Sequence, residues 1–404
     1  MTIGVGGSDA ATELARLSDM TAGAKPIALP EFQARIRKAR ALMADEGLDA
    51  LYLNAGTNLY YFTGTRWHAS ERMVGALLLP DGTLTYIAPA FEESTLKDFM
   101  TIKAPVLVWQ EHESPYALFG ALLADLGLDR AGIGIDESTS FAMSDGLRAA
   151  CPGANFVSAK AVTAGCRMIK SAAELALMQR AKDLTLEVHK AAARILREGI
   201  TTAEVTGFIH EAHKRVGASA GSYFCIVLFG EATAYPHGVS YEQSLEPGDM
   251  VLIDTGCTVH DYISDITRSY VFGEPSARQR EVWDHEKKAQ ARAFSAAQLG
   301  APCGDVDTAA RAYGESVGYG PGYEVPGMPH RTGHGIGLDI HEWPYLVKND
   351  RTPLAPGMCF SNEPMICVYG EFGVRLEDHF YMTKDGPKWF TEPSPSIDDP
   401  FGLE

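Results

Sequence analysis

The stretch VLIDTGCTVHDYISDITRSYVFG (residues 251–273) is the most informative part of this 404-residue chain. Asp254 closes the apolar segment VLID, and Asp265 opens the next apolar segment, DITRSYVFG. The residues between them include Gly256 and several polar side chains, as is typical of a connecting loop. Two strands paired across such a loop would bring both carboxylates to one end of a sheet.

Two further segments repeat this arrangement. Glu363 lies in MCFSNEPM and Glu377 in GVRLEDHFYM, and a Gly-containing connection joins them. His334 lies between Gly333 and Gly335, where the backbone can approach a ligand closely. The predicted metal ligands are therefore Asp254, Asp265, His334, Glu363 and Glu377.

These side chains predict metal-assisted hydrolysis. Four carboxylates and one imidazole can hold two divalent ions, with one or two carboxylates bridging. Two ions about 3.5–4 Å apart can share and deprotonate one water, which yields hydroxide at neutral pH. An oxygen-rich shell favours Mn²⁺, with Zn²⁺ and Co²⁺ as alternatives. A single Asp after a strand is more often a turn residue, but clustered carboxylates without cations would repel one another.

Composition and charge exclude several other classes of protein. Apolar residues make up 46% and charged residues 22%, as in ordinary globular proteins. The net charge of −17 argues against nucleic acid or an anionic membrane as a partner. Seven cysteines without a CxxC pair fit a reducing compartment. No signal peptide and no transmembrane run is recognised, so we expect a cytoplasmic protein.

The chain is predicted to contain an N-terminal tail (1–28), an α/β domain (29–163) and an α+β domain (164–404). In the first domain, helices at 31–47 and 117–127 alternate with strands at 49–53 and 131–136, and a hairpin turns at 80–82. The second domain opens with a long helix. A capping box formed by Ser171 and Glu174 is expected to start this helix, and Gly199 is expected to end it. Helices after 201–205 and at 276–298 precede a strand-rich end, which predicts an antiparallel sheet.

The second half resembles the pita-bread metallopeptidase family, which includes Xaa-Pro aminopeptidases, Xaa-Pro dipeptidases, creatinases and methionine aminopeptidases. The matching segments are IDTGCTVHDYISDITR, PHRTGHGIGLDIHEWP, SNEP and GVRLEDHFYMT, and they cover most of 165–385 in family order. The first half, with NAGTNLYYFTG (54–64), resembles the creatinase-type N-terminal domain of prolidases. Methionine aminopeptidases usually lack that domain, which makes them an unlikely match.

The resemblance implies a role for each site residue. Asp254 would bind one metal, Asp265 and Glu377 would bridge both, and His334 and Glu363 would complete the second site. Glu363 would also act as general base. His237 would lie near the substrate, and His341 would stabilise charge on the scissile carbonyl oxygen. Arg375 would brace the site or meet a substrate carboxylate. The family also implies a homodimer and a peptide substrate with proline at its second position.

Other motifs in the chain suggest other classes of protein. GASAG (217–221) matches G-x-S-x-G, but its helix and strand come in the reverse order for a nucleophile elbow. HEWPY is not HExxH, which excludes a zincin. The intact ligand set disfavours a metal-free binding module and a creatinase, whereas a metal-dependent lyase of a small metabolite stays open. Dipeptidases and aminopeptidases share every motif quoted, and the length near 400 favours a prolidase-type dipeptidase.

Overall fold

The computed structural model describes residues 2–403 and divides into two compact units. The smaller unit is Pro26–Arg167, and the larger one runs from Met168 onward and includes the residues up to Lys25. Residues assigned to a tail in the sequence analysis contain helix α1 (Ala10–Arg16), which Asp9 caps. Its Glu13 is fully buried and binds Arg194 at 2.7 Å. The limits predicted for the domains stay a prediction.

The smaller unit is an α/β layer, as the sequence analysis predicted. Its elements are α2 (Leu29–Asp45), β1 (Ala50–Asn54), α3 (Thr57–Thr63), β2 (Gly75–Leu78), β3 (Leu84–Pro89), α4 (Glu93–Phe99), β4 (Val106–Trp109), α5 (Pro115–Asp125), β5 (Gly132–Ile135), α6 (Phe141–Ala150), β6 (Asn155–Ser158) and α7 (Lys160–Arg167). The strands form one mixed sheet in the order β4-β3-β2-β1-β5-β6. Strand β2 runs antiparallel to both of its neighbours, and the remaining pairs are parallel.

The larger unit is α+β with antiparallel strand pairs, which confirms the predicted class. Its further helices are α8 (Ala172–Arg194), α9 (Thr202–Arg215), α10 (Ala277–Ala296) and α11 (Cys303–Ser316). Its strands are β7 (Phe224–Phe229), β8 (Met250–Gly256), β9 (Thr258–Val259), β10 (Tyr262–Ile263), β11 (Ile266–Val271), β12 (Gly333–Gly335), β13 (Glu342–Leu346), β14 (Cys359–Asn362), β15 (Met365–Val368), β16 (Phe372–Arg375), β17 (Asp378–Thr383) and β18 (Gly386–Trp389). They form the sheets β11-β8-β7 and β13-β12-β14-β17-β18 and the hairpins β9–β10 and β15–β16.

The long helix α8 starts where it was predicted and ends earlier. Both hydrogen bonds of the capping box between Ser171 and Glu174 are present. The predicted end at Gly199 is wrong, because the helix stops at Arg194. Its last carbonyls accept hydrogen bonds from the N-terminal segment instead, since Gly6 N donates to Ala193 O (2.9 Å) and Ser8 N to Arg194 O (3.1 Å).

Two elements near the site were not predicted. The segment between Asp254 and Asp265 contains the short hairpin β9–β10 rather than a simple loop. Helix α11 follows Pro302 in what was expected to be a strand-rich region. Its apolar residues Val306, Ala310, Tyr313 and Val317 have helical spacing, but Gly304 and Gly314 weaken the local helical preference. In the part of the chain that the structure describes, none of the helices has the length and apolar character to cross a membrane.

Candidate metal centre and its surroundings

The structure places the five predicted ligands on neighbouring segments of the larger unit. Asp254 lies in β8 opposite Thr267 of β11, and Asp265 directly precedes β11. His334 is the central residue of β12. Glu363 lies between β14 and β15, and Glu377 lies between β16 and β17. The carboxylates therefore stand at strand ends or on a central strand, where backbone pairing holds them in place.

Three of these residues form a buried cluster with metal-binding geometry. Asp265, His334 and Glu377 each offer one ligand atom, and these atoms lie within 4.8 Å of one another. Glu363 adjoins the cluster, because its Oε1 lies 3.0 Å from Nε2 of His334. The same Nε2 lies 3.7 Å from Oδ2 of Asp265. Asp254 Oδ2 forms an ion pair with Nη2 of Arg375.

Burial and neighbouring charges shift the pKa of each of these carboxylates. Burial raises the pKa of Asp265 well above its usual value, and the charges of Glu377 and Asp254 raise it further. The pKa of Glu377 is raised for the same reasons, burial first and then Glu363 and Asp254. Burial also raises the pKa of Asp254, although Arg375 opposes the effect. Burial opposes ionisation of Glu363 too, but the hydrogen bond and charge of His334 lower its pKa to about 2.

The ligand set fits divalent cations. Nδ1 of His334 lies 3.0 Å from the Gly335 carbonyl oxygen, which can only accept, so Nδ1 carries a proton. In the neutral tautomer, Nε2 then presents a lone pair to the oxygens of Glu363 and Asp265, and only a proton or a cation between them makes that contact favourable. Oδ1 of Asp254 and Oδ1 of Asp265 are also buried without a hydrogen-bond donor within residues 2–403.

A second layer of side chains orients Glu377 and Asp254. Thr267 Oγ1 donates to Glu377 Oε2 (2.7 Å), and His379 Nε2 lies 3.2 Å from Glu377 Oε1. Besides its ion pair with Asp254, Arg375 donates through Nε to Thr267 Oγ1 (3.0 Å) and through Nη1 to a backbone carbonyl, Pro236 O (3.1 Å). The arginine thus contacts Asp254, Thr267 and Pro236, and its expected role, to brace the site or to meet a substrate carboxylate, stays a prediction.

The predicted histidines lie at the solvent-exposed side of the cluster. The rings of His341 and His334 are 4.2 Å apart between centroids. Burial, followed by the charge of His334, lowers the pKa of His341 to about 4, so this imidazole is neutral at neutral pH. His237 is exposed, and its charge also acts on His341.

The sequence analysis missed a further histidine, His330. Its Nε2 is buried and has no partner among the described residues, and its Nδ1 lies 2.7 Å from the Arg331 carbonyl oxygen. Burial lowers the pKa of His330, and the charge of Glu363 opposes that change. The available signal was its position four residues before His334 in PHRTGH.

Helix α11 forms hydrogen bonds with the segment that contains His330 and precedes His334. Asp307 Oδ1 accepts from the backbone N (3.0 Å) and the hydroxyl (2.8 Å) of Thr332. Arg311 pairs with Asp307 at 2.9 Å and donates to Met328 O (2.8 Å) and to His330 O. The unpredicted helix therefore anchors the backbone of residues 328–332, which directly precedes the strand of His334.

Comparison with known proteins finds matches for both parts of the chain. Residues 176–384 match the model of metallopeptidase family M24, and residues 35–169 match that of the creatinase/prolidase N-terminal domain. The Xaa-Pro dipeptidase of Pyrococcus furiosus is 30% identical over 89% of this chain and 97% of its own length. The crystal structure of dipeptidase PepE from Mycobacterium ulcerans superposes with a TM-score of 0.84 at 32% identity, covering 91% of this chain and 97% of that one. The X-Pro aminopeptidase of Thermotoga maritima has a TM-score of 0.75 at 26% identity, covering 88% and 97%.

Proposed function

The chain belongs to metallopeptidase family M24, and on that premise we propose that it hydrolyses Xaa-Pro peptide bonds, with Xaa-Pro dipeptides as its preferred substrates. The observation that carries the proposal is the buried cluster of Asp265, His334 and Glu377, in a chain whose relatives include Xaa-Pro dipeptidases. We propose a centre of two divalent ions held by this cluster together with Asp254 and Glu363. Mn²⁺ is the favoured ion, with Zn²⁺ and Co²⁺ as alternatives.

Each residue has a distinct part in this proposal. Divalent ions bound here would polarise the scissile carbonyl and lower the pKa of water into the neutral range. Glu363, whose side chain is 14% exposed, is the candidate general base that accepts a proton from the attacking water. His341, neutral at neutral pH, can donate a hydrogen bond to the carbonyl oxygen as negative charge develops there. His237, which is exposed, would contact the substrate, and Arg375, which pairs with Asp254, would brace the site.

Proline specificity has a physical basis that suits this chemistry. The Xaa-Pro bond is a tertiary amide without an N–H, so a protease that needs that donor handles it poorly. Activation of the carbonyl and of water makes no use of the N–H. The specificity itself is inferred from the relatives, which include both an Xaa-Pro dipeptidase and an X-Pro aminopeptidase.

The experiment compares hydrolysis of Leu-Pro with that of Leu-Pro-Pro and a longer Xaa-Pro peptide. The enzyme is first stripped with a chelator and then reconstituted with Mn²⁺ or Zn²⁺. Preference for Leu-Pro supports the dipeptidase, whereas preference for the longer peptides makes the enzyme an X-Pro aminopeptidase. Cleavage of none of them by the metal-loaded protein would refute the peptidase proposal and favour the lyase.

Matched carboxylate variants test the site. Glu363→Gln removes the candidate base and is expected to lower kcat by about 100-fold or more. Glu371→Gln makes the same change on the exposed turn between β15 and β16, where Glu371 pairs with Arg278, and is expected to keep full activity. Equal activity of the two variants would contradict the role of Glu363.

A homodimer in a reducing, cytoplasmic setting is part of the same proposal. The seven cysteines are free thiols, which is the usual state in that compartment. Light scattering after size exclusion gives the mass in solution, and a mass near that of one 43.7-kDa chain would contradict the dimer.

A further inference from the structure

Gln290 is a buried polar residue on the face of α10 that packs into the core. Its exposed fraction is 1%, and the nearby α10 residues Trp283, Ala289 and Ala293 belong to the hydrophobic core of this unit. A carboxamide in such a place costs free energy unless its hydrogen bonds are made. The bonds that Gln290 makes are therefore a guide to its role.

The carboxamide of Gln290 reaches both segments that carry glutamate ligands. Its Nε2 lies 3.1 Å from Leu376 O, 3.2 Å from Asp378 Oδ2 and 3.4 Å from Asn362 O. Leu376 and Asp378 flank Glu377, and Asn362 directly precedes Glu363.

The backbone of α10 strengthens the same link. The side chain of Asn362 donates through Nδ2 to the carbonyl oxygen of Gln290 at 2.9 Å. Asn362 is fully buried, so this hydrogen bond is shielded from water. One residue of α10 thus joins the strand end before Glu363 to the residues on both sides of Glu377.

We propose that Gln290 is a positioning residue of the metal centre, which sets the separation of the Glu363 and Glu377 carboxylates without touching metal or substrate. This inference rests on the proposed metal centre. Residues that orient metal ligands typically change metal affinity by about 10–100-fold when they are removed.

The test is Co²⁺ binding by the full-length, chelator-stripped protein, followed through the visible absorption of the bound ion. Gln290→Met keeps the volume and removes the donors. It is expected to weaken Co²⁺ binding by about 10–100-fold and to alter the absorption band, because the coordination geometry changes.

The matched control is Gln279→Met on the same helix. Gln279 is 8% exposed, donates to Gly248 O at 2.8 Å and accepts from Ser276 N at 2.8 Å, so these bonds do not involve the segments of Glu363 and Glu377. This variant loses comparable hydrogen bonds, and its Co²⁺ affinity is expected to stay within about threefold of wild type. If Gln290→Met prevents folding, Gln290→Asn serves instead, because the shorter side chain is not expected to reach Leu376 and Asp378 together.

The outcomes separate this inference from the proposed function. Equal Co²⁺ affinities for Gln290→Met and Gln279→Met would overturn the role of Gln290 while leaving the metal centre intact. Wild-type protein that binds no Co²⁺ would overturn both. Failure of Co²⁺-loaded wild type to cleave Leu-Pro would refute the substrate alone, because the binding comparison does not depend on cleavage.

Discussion

Arg268 and Asp378 form a buried ion pair directly behind Glu377, and we predict strong energetic coupling between them. Arg268 Nη2 lies 2.7 Å from Asp378 Oδ1, and the side chains are 1% and 0% exposed. Arg268 also donates through Nη1 to Glu377 O at 2.9 Å. In Arg268→Met, the Asp378 carboxylate keeps the neutral donors Gln290 and Thr391 and the charge of Lys287, but it loses the paired guanidinium.

The expected magnitude follows from charge and burial. Two unit charges 4 Å apart interact by about 4 kcal/mol at an effective dielectric constant of 20. Removal of one partner of a buried pair costs about 3–5 kcal/mol, because the other charge loses its compensation. We therefore expect Arg268→Met and Asp378→Asn each to lower the free energy of unfolding by about 3–5 kcal/mol. The double variant should cost less than their sum by about 2–3 kcal/mol.

The assay is urea-induced unfolding of the metal-free variants, followed by tryptophan fluorescence. Trp283, Trp343 and Trp389 report on the larger unit. Arg278→Met is the control, because its guanidinium is 42% exposed and such surface pairs contribute about 1 kcal/mol or less. Additive effects of the two single variants, within about 0.5 kcal/mol, would refute the coupling.

Three further predictions concern backbone packing, acid stability and metal. Gly373→Ala is expected to destabilise the protein by about 1–3 kcal/mol in thermal unfolding, because the added Cβ would lie 2.4 Å from Thr233 O. Gly207→Ala, in a helix with nothing within 4 Å, should instead stabilise it by about 0.5–1 kcal/mol, and the reverse order of these two variants would contradict the packing argument. Burial lowers the pKa of His189 to about 3, so the unfolded chain binds a proton that the folded one does not, and stability falls as pH drops from about 6.5 towards 3. In urea titrations at several pH values, His189→Gln should reduce the dependence of the unfolding free energy on pH by up to about 1.4 kcal/mol per pH unit. An unchanged pH dependence would exclude His189 as its source. A chelator should lower the melting temperature of wild type but not of Asp265→Asn, and an equal shift in both would contradict Asp265 as a ligand.

The amino-acid sequence was sufficient for features that depend on short stretches of chain. The capping box of Ser171 and Glu174 was predictable because both of its hydrogen bonds join residues three apart. The fold class followed from alternating and clustered elements, and it is confirmed. The candidate ligands were recognisable because each stands in a short segment that is typical of a strand or a tight loop.

The remaining features depend on contacts between distant parts of the chain. Helix α8 stops at Arg194 because the segment around Gly6 and Ser8 takes its last carbonyls. Arg375 pairs with Asp254, 121 residues away, a contact that no local pattern shows. His330 was recognised in the folded chain, where its Nε2 is buried without a partner among residues 2–403 and the charge of Glu363 acts on it.

Residue types and their local order thus determined which side chains are available for chemistry. Tertiary packing determined the distances between these side chains. The physical reason is the range of the interactions. Propensity, capping and motifs act over a few residues, whereas the hydrogen bonds that Gln290 Nε2 donates span 72 to 88 residues of sequence. No local pattern in α10 distinguishes that glutamine from a solvated one. Only the folded chain brings it against the strand ends that hold Glu363 and Glu377.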